Sequence, residues 1–381
     1  MVYFRQERKW KNETIEEAKT FSEELPTAGV LDSILLTVRI YNSNAMYARQ
    51  KPNIWDHITG LIVRSGGKEN IHDVWGPTEL AAYCIQYGRL PPGFPDTMSS
   101  DYQSLVFPIL FGRWWKDPYY GLDLSKVPSP VLEIQNDFAT ADLQATSNIW
   151  FDIDLWFREG GAPPSKFIGM NQITSHTWTG ASQEHTFKVP KTYPVRRIFL
   201  GCDSFRSDAQ SGQPNKAFRN LRYLKYSYKS GGLVLRDKDD LYRSDQDALW
   251  GFPDLVQIEK NCEPRTGYTE DVALCRPISV VAAPSYSADP GADIPLVIDQ
   301  RMERILTWRR ATSGYQARLI AKGYGPFDHL CIHEDQPDDE SGYLDPAANA
   351  DVEVLVGNSS SGGSSGTIRF ITQHVRPQLV A

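Results

Sequence analysis

Residues 64–67, Arg-Ser-Gly-Gly, close a predicted strand over 57–64, and they recur as Lys-Ser-Gly-Gly at 229–232 behind a predicted strand over 220–228. The correspondence extends upstream at offsets of 164 to 166 residues. Thr20-Phe21 recurs as Thr186-Phe187, and Leu25-Pro26 followed by Ile34 recurs as Val189-Pro190 followed by Ile198. Four elements in the same order at nearly constant spacing indicate a structural duplication.

The size of the duplicated unit predicts its architecture. About 165 residues is too long for a solenoid repeat, whose period is roughly 20–50 residues. It is the size of a whole β-sandwich, and about eight strands per unit fit a jelly roll. The sequence therefore predicts an all-β protein of two tandem eight-stranded jelly-roll β-sandwiches, each with a short helix. The predicted parts are an N-terminal arm (1–14), a first jelly roll (15–165) and a second jelly roll (166–381).

Strand and helix signals support this division. In Trp150–Arg158 the apolar residues Phe151, Ile153, Leu155 and Phe157 alternate with the residues of the other face, as in an amphipathic strand. Gly76-Pro77-Thr78-Glu79 predicts the start of one helix, because proline and glutamate are both favourable in a first turn. A second helix is predicted to begin near Asp237.

The composition of the chain argues against several classes of function. The 381 residues are 41% hydrophobic with a net charge of −7, which is globular and argues against a strongly basic nucleic-acid binder. No apolar run approaches the roughly 18 residues that span a bilayer, and the N-terminus has no apolar signal-peptide core. We therefore expect a cytoplasmic product with reduced thiols. No disulfide framework is indicated by the five scattered cysteines, Cys84, Cys202, Cys262, Cys275 and Cys331.

Five stretches carry a resemblance to a known family. They are Phe107-Pro-Ile-Leu-Phe-Gly-Arg113, Asp117-Pro-Tyr-Tyr-Gly-Leu-Asp-Leu124, Pro130-Val-Leu-Glu-Ile134, His185-Thr-Phe-Lys-Val-Pro190 and Tyr193-Pro-Val-Arg-Arg-Ile198. With them the sequence resembles, over about 25–375, the double jelly-roll major capsid proteins of tectivirus-like phages and other internal-membrane icosahedral viruses.

The resemblance implies a structural role. It implies a major capsid protein whose homotrimers form pseudo-hexagonal capsomers of an icosahedral shell, beside neighbouring capsomers, penton and minor capsid proteins. It implies a place in the virion capsid, assembly in the host cytoplasm, no enzymatic activity, no catalytic residue, no cofactor or metal, and no sequence-specific nucleic acid. Many such capsids enclose a membrane, so the basic arm Arg5–Lys11 is expected to touch that membrane or a neighbouring capsomer.

Aromatic residues are the candidates for the contacts between subunits, because aromatic side chains are enriched in interface cores. Four of them occur in seven residues of a predicted loop, and Trp10 in the arm lies between lysines. The interface candidates are Trp114, Trp115, Tyr119, Tyr120 and Trp10.

Two motifs have the residue types of a metal site. His329-Leu-Cys-Ile-His333 puts two imidazoles and a thiol on one face of a strand, although an ordinary strand remains the favoured interpretation. The acidic stretch 334–340 offers oxygen ligands for calcium, but its spacing differs from that of an EF-hand loop, so a solvated loop is favoured.

Two further motifs have the residue types of an active site. Asp152 and Asp154, near Trp150 and Trp156, have a spacing compatible with a glycosidase, although a polar strand face is favoured. They support the alternative function, a carbohydrate-binding or carbohydrate-active β-sandwich protein. Gly362–Gly366 formally matches G-x-S-x-G but lacks the strand–turn–helix context of a catalytic serine.

Overall fold

The fold is taken from a computed structural model. The described residues are 1–15, 18–42, 53–66, 69–94, 101–138, 145–180, 182–203, 221–228, 231–235, 256–262, 269–271, 273–286, 296–298, 305–308, 316–334, 340–345, 347–348, 352–358 and 366–379. The second predicted helix near Asp237 lies outside them. Among the described residues, no helix has the length and apolar character needed to cross a membrane.

Roll 1 is an eight-stranded jelly roll of two facing sheets. In chain order its strands are β1 (Tyr3–Ile15), β2 (Thr20–Glu24), β3 (Val30–Asn42), β4 (Ile58–Ser65), β5 (Glu69–Val74), β7 (Asp101–Leu110), β9 (Val131–Asn136) and β10 (Ala145–Glu159). One sheet has the order β1-β10-β3-β7 and the other the order β2-β9-β4-β5. Two short strands, β6 (Gly93–Phe94) and β8 (Leu122–Asp123), pair with β7 and β3.

Roll 2 has eight main strands of its own. They are β11 (Lys166–Trp178), β12 (Glu184–Lys188), β13 (Val195–Asp203), β14 (Leu221–Tyr228), β15 (Gly231–Leu235), β22 (His329–His333), β23 (Glu353–Asn358) and β24 (Gly366–Pro377). Their sheet orders are β11-β24-β13-β22 and β12-β23-β14-β15. In both rolls one sheet is thus made of the first, eighth, third and sixth strands and the other of the second, seventh, fourth and fifth, which confirms the predicted double jelly roll.

The sequence repeat falls on equivalent strands. Phe21 and Phe187 both lie in the second strand of their roll, and Ile34 and Ile198 are both fully buried in the third. In both rolls the Ser-Gly-Gly motif falls where the fourth strand ends and the fifth begins. They are not aligned residue by residue, because Gly66 follows the last residue of β4 directly, whereas position 231 already begins β15.

The predicted N-terminal arm is wrong. Residues 3–15 form β1, which pairs antiparallel with β10 from Tyr3 opposite Glu159 to Ile15 opposite Ile149. The segment is therefore the first strand of roll 1, and its contact with a membrane or a neighbouring capsomer stays a prediction. Its basic residues misled the prediction because they pair with acidic residues across the sheet, as Arg8 does with Asp154.

Helix α1 (Gly76–Tyr87) connects the fifth and sixth strands of roll 1. Its first turn contains Pro77, as predicted from the sequence. It ends at Gly88, whose φ of 69° is strained for other residues and whose N–H bonds the Cys84 carbonyl at 2.7 Å. Side chains of α1 pack against both rolls, so the helix holds them together.

The corresponding connection in roll 2 carries further strands. They are β16 (Val256–Cys262), β17 (Thr269–Asp271), β18 (Leu274–Tyr286), β19 (Leu296–Ile298), β20 (Ile305–Trp308) and β21 (Gln316–Pro326), and they form the sheets β16-β21-β18 and β17-β20-β19. Buried residues of this insertion join the core of roll 1, where Phe327 meets Trp55 edge to face at 5.4 Å.

The two rolls also share a sheet. The edge strand β5 of roll 1 pairs parallel with the edge strand β11 of roll 2, with Asp73 opposite Asn171. The second sheet of roll 1 and the first sheet of roll 2 thereby form one continuous eight-stranded sheet. The rolls therefore stand side by side in a defined orientation.

Candidate functional site

The aromatic loop, residues 111–121 between β7 and β8, is built around a buried ion pair. Arg113 Nε donates to Asp117 Oδ2 at 2.8 Å, and the Arg113 backbone N–H donates to the same oxygen at 3.1 Å. Asp117 is completely buried and also accepts the Tyr119 N–H at 2.9 Å. These bonds satisfy the carboxylate and give the loop one conformation.

The Arg113 guanidinium organises the aromatic residues around it. Its central carbon lies 4.3 Å from the ring centre of Trp114, 4.8 Å from that of Tyr120 and 5.6 Å from that of Tyr119. Cations within about 6 Å of a ring centre are attracted to its face. Three of the four predicted interface residues in this loop therefore surround one arginine.

Tyr120 contributes to the contact between the rolls. Its side chain is 2% exposed and packs with Ile168 and Val375 of roll 2. Its hydroxyl donates to Glu340, and burial raises the tyrosine pKa. Glu340 also accepts from Lys166 at 2.7 Å. Tyr120 is therefore internal to the chain and is not available as a subunit contact.

Arg196 of β13 ties roll 2 to the same loop. Its side chain is 5% exposed, and Nη1 donates to the Arg113 carbonyl at 3.0 Å. Its other terminal nitrogen donates to Gln86 of α1 at 3.2 Å. The sequence motif around Arg196 contributes to the family resemblance, but only the structure shows this contact.

Two of the predicted residues face solvent. Tyr119 is 69% exposed and Trp115 is 39% exposed. Trp115 meets Trp156 of β10 edge to face at 5.4 Å, and Lys116 Nζ lies 4.5 Å from the Trp156 ring centre. The Lys116 N–H donates to Asp32 at 3.2 Å, while burial raises the pKa of Asp32 to about 6. Trp115 is thus held at the surface by its loop.

Trp10 faces its own roll. The side chain is half-buried on β1 and meets Phe21 of β2 edge to face at 6.1 Å. It packs against the buried cluster of roll 1. Trp10 therefore closes the sandwich where the two sheets meet, and its role as a subunit contact stays a prediction.

The comparisons with known proteins agree on the fold. No family model and no curated protein matches the sequence. Among solved structures, the chain is similar to the major capsid protein of Sulfolobus Turreted Icosahedral Virus, with a TM-score of 0.56, 10% identity, and coverage of 99% of this chain and 97% of that one. It is also similar to the major capsid protein P2 of bacteriophage PM2, with a TM-score of 0.51, 10% identity and full coverage of both chains.

This chain has the double jelly-roll fold of viral major capsid proteins. Full coverage in both directions means that the similarity includes both rolls and their connection. At 10% identity the similarity concerns the fold, and roles of single residues have to be argued from this chain itself.

The histidine strand β22 lies at the seam of the double jelly roll. His329 Nδ1 donates to the Phe327 carbonyl at 2.7 Å, and its Nε2 accepts from the Thr78 hydroxyl of α1 at 2.8 Å. Burial lowers the pKa of His329 to about 3. Cys331 packs against α1 and Met170 in an apolar cluster. Within the described ranges, no group of three or more histidine, cysteine or acidic side chains is placed to hold a metal.

The carboxylates proposed for a glycosidase are neutralised in this fold. Asp152 accepts from Arg39 at 2.9 Å, and Asp154 accepts from Arg8 at 2.7 and 3.0 Å. Both are less than 9% exposed. A glycosidase needs one carboxyl group that can donate a proton to the leaving group, whereas both carboxylates here are held by arginines of neighbouring strands. The geometry therefore does not favour the carbohydrate-active alternative.

The remaining sequence motifs are only partly described. Residues 335–339 of the acidic stretch and 361–365 of the Gly-Ser-rich stretch lie outside the described residues. Glu340, at the end of the acidic stretch, is occupied by Tyr120 and Lys166.

Sequence reasoning missed the outer face of the first sheet of roll 1. Leu35 of β3 and Val106 of β7 point away from the core of the roll and are half-buried, beside the more exposed Tyr102. The sequence gives little signal for this face, because the outward residues of β3 mix Leu35 and Tyr41 with Ser33, Thr37 and Arg39.

Proposed function

We propose that this chain is the major capsid protein of an icosahedral virus and assembles as a homotrimer. The observation that carries the proposal is the pair of jelly rolls with identical strand order, fixed side by side by the β5–β11 pairing. The solved structures with this fold over their full length are named as viral major capsid proteins.

The geometry supports a pseudo-hexagonal capsomer. Two similar rolls per chain and three chains around one axis give a ring of six similar units. Closed rings of this kind need complementary side surfaces on each subunit. Such a tile covers the flat faces of a large shell, where each capsomer has six neighbours.

The role is structural and the partners are other capsid proteins. We propose neighbouring copies of the capsomer, penton and minor capsid proteins as partners, the virion capsid as location and the host cytoplasm as the place of assembly. With a net charge of −7, the chain is not expected to bind nucleic acid in a sequence-specific way.

Trp115 is the interface candidate that combines an exposed ring with a second aromatic contact, the edge-to-face pair with Trp156. A large apolar ring that is 39% exposed and fixed by its own loop loses little conformational entropy on contact. We expect Trp115→Ser to weaken the trimer by about 2 kcal/mol per contact, the threshold of a hot spot. The matched control is Ile173→Ser, which removes an equally exposed side chain from β11.

The experiment is a mass measurement of the purified full chain by light scattering over a range of concentrations, with negative-stain images of the particles. The expected mass is about 130 kDa, three times 43.0 kDa. The images should show a six-lobed outline. A chain that remains at 43.0 kDa at every concentration would overturn the proposal.

A further inference from the structure

Two stacked histidines connect the sheets of roll 2 at one edge of the sandwich. His176 of β11 and His185 of β12 have ring centres 3.9 Å apart and ring planes 9° from parallel. The two strands follow each other in the chain but belong to different sheets. The imidazole pair therefore reaches from one sheet of the roll to the other.

The pair lies in the middle of a row of aromatic rings that leads into the core. His176 meets Trp178 edge to face at 4.7 Å, and His185 meets Phe187 in the same way at 4.6 Å. Phe187 then stacks on Phe370 of β24 at 5.1 Å. Trp178, Phe187 and Phe370 are buried in the core of roll 2, whereas both histidines are half-buried. The imidazoles are therefore the rings of this row that can exchange protons with the solvent.

The corresponding edge of roll 1 is closed by an indole and a phenyl ring. There Trp10 of β1 meets Phe21 of β2 edge to face at 6.1 Å. The offset of 166 residues that relates Phe21 to Phe187 also relates Trp10 to His176. Roll 2 thus carries a titratable ring where roll 1 carries an apolar one.

The strands packed against the pair present apolar side chains to it. Ile368 of β24 lies opposite His176, and Val356 of β23 lies opposite His185. Both residues are buried in the core of the roll. On the far side of Ile368, β13 contributes the thiol of Cys202, which belongs to the same core.

The charged residues of these strands alternate with the inward residues and point outward. The Arg369 guanidinium lies 4.4 Å from the ring centre of Trp75, and Lys188 pairs with Glu353 at 3.6 Å. Glu184 is exposed on the same outward side of β12. In the described part of the chain, the charge that acts on an imidazole of the pair is therefore that of the other imidazole.

Protonation changes the sign of the interaction between the two rings. Neutral rings attract each other in a stack, whereas two imidazolium ions at this distance repel. Burial lowers the pKa of both histidines, and His176 lowers the pKa of His185 further. Once the strands separate, both rings regain the ordinary histidine pKa of about 6.5. Below that pH the open edge takes up protons that the closed edge does not, so the closed edge loses stability as the pH falls.

We propose that His176 and His185 form an acid-sensitive clasp, which opens the β11–β12 edge of roll 2 below about pH 6.5 while the corresponding edge of roll 1 stays closed. The opening concerns residues 174–178 and 184–188. A register shift between Gln172 and Thr174 separates this part of β11 from the part that pairs with roll 1. The assignment does not rest on the proposed function, because all of its groups belong to one chain.

The test is hydrogen exchange of the full chain at pH 7 and pH 5, measured by mass spectrometry and corrected for the intrinsic pH dependence of exchange. We expect the protection of residues 174–178 and 184–188 to fall at least about tenfold at pH 5. Residues 10–21 of roll 1, which include Trp10 and Phe21, should keep their protection. An equal loss in both rolls would overturn the proposal, because acid then acts on the whole fold.

The variant that removes the clasp is His176→Phe combined with His185→Phe, which keeps two stacked rings and removes both protonation sites. Its hairpin should keep the same protection at both pH values. The matched control is His329→Gln, which removes another histidine of roll 2 and should leave the loss at the hairpin unchanged.

The remaining outcomes also decide the matter. A wild-type hairpin with equal protection at pH 5 and pH 7 overturns the clasp, and so does a tenfold loss that persists in the double phenylalanine variant. If that variant lacks a native circular dichroism spectrum, His185→Gln takes its place. One remaining imidazole meets no second charge, so the loss should then be at most half of the wild-type loss on a logarithmic scale, and a full loss would overturn the proposal.

Discussion

Replacing Arg113 by methionine tests whether the aromatic loop is held by its buried ion pair. Arg113 is 7% exposed and Asp117 is fully buried. Methionine keeps the apolar stem of arginine and removes the charge, so the buried Asp117 loses its cationic partner. Three aromatic rings lose their central cation at the same time.

The expected loss of stability follows from the burial of this ion pair. Removing one member of a buried ion pair costs about 3–5 kcal/mol, because the other charge stays buried and uncompensated. Asp117 keeps two backbone N–H donors, so we expect the loss of unfolding free energy from the broken pair to lie near the lower end of this range. The cation–π contacts add about 1 kcal/mol. We therefore expect Arg113→Met to lower the free energy of unfolding by about 4 kcal/mol.

The assay is urea unfolding of the full chain at one fixed protein concentration, followed by tryptophan fluorescence and circular dichroism. Arg5→Met is the matched control, since Arg5 pairs with Glu159 at 2.9 Å and lies 5.0 Å from the Phe157 ring but is half exposed. Exposed pairs are worth about 0–1 kcal/mol. Equal, small losses of unfolding free energy in both variants would show that the ion pair does not hold the loop. Adding Asp117→Asn to Arg113→Met should restore part of the loss.

Two further predictions concern the seam between the rolls. Tyr120→Phe should lower the free energy of unfolding by about 1.5 kcal/mol in the same assay, because it removes a hydrogen bond to the Glu340 carboxylate, whereas Tyr102→Phe at an exposed ring should be neutral. Acid should also destabilise the fold, because burial lowers the pKa of His329 and of His374 to about 3. The unfolded chain takes up these protons below about pH 6.5, whereas the folded chain does not. Each of the two histidines therefore lowers the free energy of unfolding by about 2 kcal/mol as the pH falls from 6.5 to 5. The urea midpoint at pH 5 and pH 7 measures this difference; His329→Gln should remove about half of it, and an unchanged difference would contradict the prediction.

The duplication and the class of fold could be predicted from the sequence because they depend on local patterns. Three of these patterns act within a few residues of the chain. They are the alternation of apolar residues along β10, the turn residue Gly66 after β4, and the proline in the first turn of α1. Repetition of such patterns at a constant offset then indicates two copies of one sandwich without any knowledge of which strands pair.

The role of the aromatic loop depended on distant residues. The four rings were recognised from composition, but their division into exposed and internal residues was not. Tyr120 is internal because it packs against roll 2 and its hydroxyl donates a hydrogen bond to Glu340, 220 residues away in the chain. Trp115 stays 39% exposed although it meets Trp156 edge to face. Sequence separation of this size leaves no local signal.

Local patterns were enough to predict two all-β sandwiches, since an apolar residue at every second position specifies a strand with one buried face. What lies against each outer face depends on contacts between distant parts of the chain. Residues 1–14 were predicted to form an arm, whereas residues 3–15 pair with β10. The histidine strand was predicted to be an ordinary strand, but the helix α1 that packs on it could not be predicted from the motif. A residue pattern specifies that a face must be covered, but the element that covers it is set by the packing of the whole chain.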